Sequence, residues 1–381
     1  MPCCLAKRGI CTRSAQSAAR CRILVSVRER THTATASTQQ RWGLGNTGHS
    51  AMSHEDGATT CRRNHVSVKA RALVVGMATY VPGLQGLTGR KTGGTISARY
   101  CYSVWLRHLS MLHRSALPTT FARMVELGPG DSLGIGLAAL LSGVERYVAL
   151  DAVRYADDTR NLRIVDELIA LLSDRASIPD EVEFPLVRPL LPSYAFPADI
   201  LTSARLDVAL HPKRLELIRA AINNPTASAR GGGALSYIAP WQPDVIESGT
   251  VDLVLSQTML EFPPDLAGMY SEMCRWLRPG GVMSHEIDFK SIGLTVEWNG
   301  HWSCSDALWR LVAGRRRHRL NREPHSTHIS LIQRVGCRVV RDERNVQLSG
   351  ITRAQLAPRF HHLTDEDLAT SSALIQAVKP N

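Results

Sequence analysis

Short apolar runs bounded by turn residues read as buried strands. Longer stretches with an apolar residue every three or four positions read as helices. On this rule, strands are predicted over residues 123–127, 146–150, 234–238, 251–256 and 282–287, with two more near the end of the chain at 337–341 and 373–378. Helices are predicted over 97–113, 132–141, 161–172, 212–222 and 266–277. The last helix keeps Leu266, Met269, Tyr270, Met273, Trp276 and Leu277 on one face and is broken by Arg278-Pro279-Gly280-Gly281. The alternation predicts an α/β fold, a doubly wound parallel sheet with helices on both faces.

Three regions interrupt this rhythm. Residues 80–118 form a lead-in, glycine-rich at Gly83, Gly86, Gly89, Gly93 and Gly94, followed by the helix around Tyr100, Val104, Trp105, Leu106 and Leu109. That helix reads as a cover for the main domain or as a cap that touches substrate. Between about 152 and 233 lies a long, largely helical insert with a Pro-rich stretch at 185–197. Residues 1–76 are rich in Arg, Ser, Thr, Ala and Gln and lack sustained apolar periodicity, so they cannot bury enough surface to offset their ordering entropy. They fit an organellar transit peptide, an arm for an acidic partner, or sequence upstream of a true start at Met52 or Met77. The third reading is favoured, because domain-like sequence begins just after Met77. The expected layout is an extension over 1–76, a lead-in over 77–119 and one domain over 120–381.

Composition narrows the class. Hydrophobic residues make up 44% and charged residues 21%, as in globular proteins. No run of eighteen apolar residues occurs, so no membrane span is expected. The net charge of +11 invites a nucleic-acid reading, but the first fifty residues hold eight basic side chains against Glu29 alone. The one dense basic cluster beyond them, Arg315 to Arg319, reads as a solvated helix face or helix end. Nine cysteines show neither zinc-ligand spacing nor a disulfide framework. They fit a reducing compartment, with cytoplasmic placement expected unless the extension directs import.

The candidate chemistry centres on Val125-Glu126-Leu127-Gly128-Pro129-Gly130-Asp131-Ser132-Leu133-Gly134. A strand ends in an acid, a glycine turn follows, and a helix begins. Gly128 and Gly130 permit close approach of the backbone to a ligand, and Asp131 or Ser132 can cap the helix. Glycine turns also bind dinucleotides. Here the spacing is GxGxxxG, and Glu126 would repel a pyrophosphate while attracting an ammonium. Asp151 ends the second strand, where a carboxylate can accept from both ribose hydroxyls of an adenosine ligand. In the fifth strand and beyond, His285, Asp288, His301, His325 and His328 are candidate general bases, with His285, Asp288 and His301 preferred. The segments 298–302 and 321–328 read as polar-aromatic loops that line a substrate pocket. His325 and His328 lack a matching carboxylate spacing, so no metal is expected.

The ordered set ELGPGDS, ALD, VDLVLSQTMLEF and WLRPGGV, spread over about residues 120–381, resembles the class I S-adenosylmethionine-dependent methyltransferases. The resemblance implies a seven-stranded Rossmann-like sheet whose last strand is antiparallel, supplied by 373–378, and S-adenosylmethionine as cofactor. It implies that Glu126, Gly128 and Gly130, with Asp131 in the same turn, flank the methionine part and that Asp151 holds the ribose. It makes Trp241 a candidate adenine neighbour and puts Ser256 and Gln257 beside cofactor and substrate. The chain departs from the family after the third strand, where Ile238-Ala239-Pro240-Trp241 replaces the usual acid, and in the long insert. It also lacks the Asn/Asp-Pro-Pro-Tyr loop of base-directed amino methyltransferases. The expected reaction is methyl transfer to an oxygen or nitrogen of a small or medium-sized acceptor rather than nucleic acid. A nicotinamide-dependent oxidoreductase and a silent methyltransferase-like interaction module remain the alternatives. RNA methylation is favoured only by the Arg315 cluster.

Overall fold

The computed structural model describes residues 68–82, 94–225, 233–316 and 318–381, all within one compact unit, Arg62–Asn381. The expectations for residues 1–67, the start at Met52 included, lie outside the described residues. The elements in chain order are α1 (Ala70–Ala78), α2 (Ala98–Arg114), β1 (Arg123–Leu127), α3 (Gly134–Leu141), β2 (Arg146–Leu150), α4 (Asp158–Ser173), α5 (Ser203–Ala209), α6 (Pro212–Asn223), β3 (Leu235–Ile238), β4 (Val251–Gln257), α7 (Leu266–Trp276), β5 (Leu277–Asp288), α8 (Asp306–Ala313), α9 (His325–Arg334), β6 (Arg338–Val346), α10 (Asp365–Ala369) and β7 (Thr370–Val378).

The sheet runs β3-β2-β1-β4-β5-β7-β6. Strands β1 to β5 are parallel, and β7 runs against both β5 and β6. Helices cover both faces, which is why the central strands read as continuous apolar runs. Register sets the working edge of the sheet. Leu127 lies level with Leu150 and Ser256, and Leu150 with Ile238. Ser256 pairs with His285 and Gln257 with Glu286. The carboxyl ends of five strands therefore meet in one row, with Asp151 one residue past it.

Alternation along the strands sorts side chains to the two faces. Leu253, Leu255 and Val282 join a core with α2, α3 and α4. Val254, Met283 and Ile287 join a second core with α7, around Tyr270, Met273 and Trp276. The insert is tied to the first core by buried and half-buried arginines. Arg107 of α2, fully buried, donates to the carbonyls of Pro179, Val187 and Pro189 at 3.0, 3.1 and 2.7 Å, and so pins the Pro-rich stretch. Arg205 of α5 donates to the carbonyls of Ser142 and Thr119, and Arg214 of α6 donates to those of Leu140 and Val144. These bonds fasten α5 and α6 to the C-terminal end of α3 and, through Thr119, to the approach to β1.

Several expected boundaries move. The two final strands extend to nine residues each, because β6 lies at the sheet edge and carries the polar run Arg341 to Asn345, which hides its strand period. Strand β5 begins at Leu277, with a register shift against β4 between Val251 and Leu253. The boundary at Met77 falls inside α1, whose Ala72 packs with Trp309 and Val312 of α8 in a third cluster. Residues 325–328, expected as loop, open α9, which buries His325, His328, Leu331 and Ile332. The Arg315 cluster lies at a helix end: Arg315 stacks on Tyr80, and Arg316 donates to the carbonyls of Ala313, Val312 and Ala72. Among the described residues, no helix is long and apolar enough to cross a membrane.

Candidate active site

The turn after β1 is built from within. Gly128 and Gly130 hold φ of +65° and +79°, values that side-chain-bearing residues adopt only with strain. What lies over Gly128 is Met259 of the loop after β4: a Cβ on Gly128 would fall 2.5 Å from Met259 Cγ. The third and fourth glycines serve packing. A Cβ on Gly134 would collide with Cys101 Sγ of α2, and one on Gly136 with the ring of Tyr147. The GxGxxxG spacing thus records the crossing of α2 over α3 as well as the turn.

The backbone donors of this turn already have partners. Asp131 N and Ser132 N donate to Thr95 Oγ1 at 2.9 and 3.3 Å. Leu133 N donates to Asn161 Oδ1 at 2.9 Å and Gly134 N to Ser132 Oγ at 3.1 Å. A bound pyrophosphate draws on such donors at a helix N-terminus, so the turn is not arranged for a dinucleotide. Neither Asp131 nor Ser132 caps α3 as the N-cap residue, which is Leu133; the Asp131 carbonyl instead accepts from Arg160 at 2.6 Å. Glu126 is buried beneath the turn rather than beside it. Its Oε2 accepts from Tyr147 Oη at 2.6 Å and its carboxylate also takes the Gly136 N–H. Burial pushes its pKa up to about 7 against those two bonds, with the Asp151 charge adding to the rise.

Asp151, one residue past β2, has one oxygen engaged and one bare. Oδ1 accepts from Ala152 N at 2.8 Å, and the carboxylate also takes N–H groups of Val153 and Gly130. Oδ2 is buried and has no partner. Burial lifts this carboxyl to about 6 despite the three N–H bonds. An orphaned carboxylate oxygen, tied through Gly130 to the glycine turn, fits a ligand hydroxyl such as a ribose supplies. Past β3, Trp241 is half-buried and packs edge-on against Trp276 at 5.6 Å.

Beyond the row of strand ends the site divides by face. Gln257 lies on the α2 side, where His108 Nε2 meets its Oε1 at 3.0 Å and His108 Nδ1 meets Ser284 Oγ at 2.8 Å. His108 is fully buried, which lowers its pKa to about 4 and keeps it neutral. Ser256 and His285 lie on the opposite face. Ser256 Oγ and His285 Nδ1 are 2.8 Å apart under Tyr270 of α7, whose hydroxyl reaches His328 Nδ1 at 2.9 Å. His285 and His328 are both buried and lowered to about 3. These two histidines belong to a buried polar layer on the α7–α9 face, and each leaves Nε2 without a partner. His325 Nε2 pairs with Asp342 of β6 at 2.8 Å, and its ring packs edge-on against Phe289, just past Asp288.

Asp288 and His301 do come together. A narrow cleft at the carboxyl ends of β4 and β5 is lined by Asp288, Lys290, His301, Asn321, Glu323 and a residue the sequence did not single out, Glu261. Lys290 Nζ holds Asp288 at 2.9 Å. Glu261, on the same loop as Met259, is buried with Oε2 unpartnered. Burial and the charges of Asp288 and Glu286 drive its pKa well up, against Lys290. His301 is buried against Trp302 and Trp309, is lowered to about 3 by burial, and leaves Nδ1 unpartnered. Glu286, at the end of β5, is pushed up to about 8 by burial and by Asp288. Among the described residues, no group of three or more His, Cys, Asp or Glu is arranged to hold a metal.

A family model described as a methyltransferase domain matches residues 214–284, from α6 through β4 and α7 into β5. No curated protein matches the chain. Among solved structures, an S-adenosylmethionine-dependent methyltransferase from Mesorhizobium loti is 15% identical, with 71% of this chain and 96% of that one covered, at a TM-score of 0.34. Phosphoethanolamine N-methyltransferase 2 of Haemonchus contortus, solved with S-adenosyl-L-methionine, is 14% identical over 73% of this chain and 53% of its own, at a TM-score of 0.36. Residues 214–284 thus match a methyltransferase domain, set in a sheet whose order and reversed β7 are those of a Rossmann-like fold.

Proposed function

We propose that the enzyme methylates an oxygen or nitrogen of a small or medium-sized acceptor bound in the cleft at the ends of β4 and β5. The observation that carries this reading is the cleft itself. It is narrow, it is lined by Glu261, Asp288, His301 and Asn321, and its loop also carries Met259 onto Gly128. When bound, the cofactor supplies a methyl group already activated on a sulfonium, so the protein's work is alignment and proton removal. Gly128, Gly130 and Asp131 would hold its methionine part and Asp151 its ribose through Oδ2. Trp241 would lie toward the adenine, and Gln257, steadied by His108, at the junction with the acceptor. Glu126 would support the turn from below, and Ser256 would act through the strand pairing with His285 rather than by contact. Asp288, His301 and Glu261 are the groups in reach of an acceptor proton.

A nucleic-acid acceptor is disfavoured, since Arg315 and Arg316 are spent on Tyr80 and on carbonyls of α8 and α1. The test incubates the full chain with methyl-labelled S-adenosylmethionine and, separately, a small-metabolite fraction, total RNA and total protein. Label entering the metabolite fraction at nitrogen or oxygen is the expected result. Label confined to RNA or protein would overturn the reading.

A further inference from the structure

We propose that the acceptor is an amine, taken up as its ammonium ion and held by Glu261 with His301 beside it. This rests on the methyltransferase reading above and goes on to name the acceptor's chemistry.

Two buried polar atoms in the cleft have no partner: Glu261 Oε2, on a residue 5% exposed, and His301 Nδ1, on a residue 2% exposed. With Glu261 ionised and His301 neutral with its proton on Nε2, both are acceptors in want of a donor. An ammonium group carries three donors and no acceptor, which matches that need. The surrounding charges point the same way. From β5, Glu286 and Asp288 face Glu261, and the one cation they share, Lys290, is held by Asp288 at 2.9 Å. Glu323, on the far side of the cleft, is paired with Arg359 at 3.2 Å, and Arg322 turns its guanidinium to the carbonyls of His301 and Cys304 and to Asp306. Glu261 is therefore a buried carboxyl with acids around it and no cation of its own. A carboxylate or phosphate acceptor would be repelled there, and an alcohol brings no positive charge to draw Glu261 into its ionised form.

The same residue accounts for the proton. In the free protein, burial and the neighbouring acids shift the Glu261 carboxyl toward its protonated form. Binding of an ammonium ion favours the carboxylate and expels that proton to solvent. The bound ammonium then passes one N–H proton to Glu261 Oε2; the O–H bond forms, and the N–H electron pair stays on nitrogen as the lone pair that receives the methyl group. The methylated product again carries a single positive charge, Glu261 ends the turnover protonated, and the one proton released is the one expelled on binding.

The test uses the full chain saturated with S-adenosylhomocysteine, with n-butylamine and benzylamine as probes beside n-butanol and benzyl alcohol, followed by ligand-observed NMR and by calorimetry in two buffers of different ionisation enthalpy. The amines should bind about tenfold or more tightly than the matched alcohols, with release of about one proton. Glu261→Gln should abolish both the preference and the proton release while S-adenosylhomocysteine affinity stays within about twofold, since Glu261 lies outside the cofactor contacts. Circular dichroism checks that this variant folds. His301→Gln serves as a second variant, expected to weaken amine binding severalfold without proton release being lost. Equal binding of amines and alcohols, no amine binding, or an amine preference that survives Glu261→Gln would overturn the inference. Failure of the wild-type chain to bind S-adenosylhomocysteine would instead overturn the methyltransferase reading.

Discussion

Gly136 offers a sharp stability test. A Cβ added there would come within 3.0 Å of Tyr147 Cζ, Cε1 and Cε2, closer than real Cβ atoms approach any neighbour. The ring is fully enclosed, at 1% exposure, and its hydroxyl donates to Glu126 at 2.6 Å. Gly136→Ala must therefore push the ring aside and break that bond. Overpacking of a tight core costs about 1–3 kcal/mol. Loss of the donor to a buried carboxyl adds about 1–3 kcal/mol, and the better helix propensity of Ala returns about 1 kcal/mol. The expected net loss is about 1–5 kcal/mol, read by urea unfolding of the full chain. The cause is isolated by a double-mutant cycle with Tyr147→Ala. With the ring gone, Gly136→Ala should cost nothing or stabilise slightly, so the coupling should be about 2 kcal/mol or more. A loss below about 0.5 kcal/mol in the wild-type background, or the same loss with and without the ring, would refute the packing argument.

Three further outcomes follow from the site. His108→Leu removes the ring that joins Gln257 to Ser284 and should cost about 2–4 kcal/mol in chemical denaturation; a neutral result would mean that the His108 bonds at 2.8 and 3.0 Å contribute nothing. Glu286 stands near 8 in the fold against 4.5 for the free side chain, so between those values the folded chain holds a proton the unfolded chain has lost. Its contribution to stability therefore falls as pH rises through that window, and Glu286→Gln should match wild type below about pH 4.5 and exceed it by on the order of a few kcal/mol near pH 8; a difference independent of pH would contradict the burial of this carboxyl. Gly128→Ala combines strain at φ +65° with a contact on Met259 Cγ. Its cost of about 1–3 kcal/mol should be partly relieved by Met259→Ala, as thermal unfolding of the single and double variants will tell.

The central strands were legible because burial on both faces leaves little but apolar residues in them: β1 and β2 have the bounds that the apolar runs predict, and β4 ends one residue later. The glycine turn and Asp151 were legible from spacing alone. Helix α9 was not, since its buried stripe begins with His325 and His328, polar types that break an apolar pattern. Its core is a hydrogen-bonded layer with Tyr270, which no periodicity announces. His108 was hidden for the same reason, a histidine at a core position of a helix read as a cover or as a cap that touches substrate. Glu261 carried no local signal. Its importance comes from β5 bringing Glu286 and Asp288 to the same end of the sheet and from a distant turn bringing His301, a meeting set by tertiary structure. The edge strand β6 was half-read, because an edge with one wet face keeps charged residues that a central strand excludes.

The account stands most directly on Asp151. Calorimetric titration of S-adenosylhomocysteine into the full chain, wild type beside Asp151→Ala, measures whether its unpartnered Oδ2 awaits a ribose hydroxyl. Saturable one-to-one binding, weakened about tenfold or more in Asp151→Ala with the fold intact, is the predicted result. Equal affinity in both proteins, or no binding to wild type while NAD binds, would contradict the site described above.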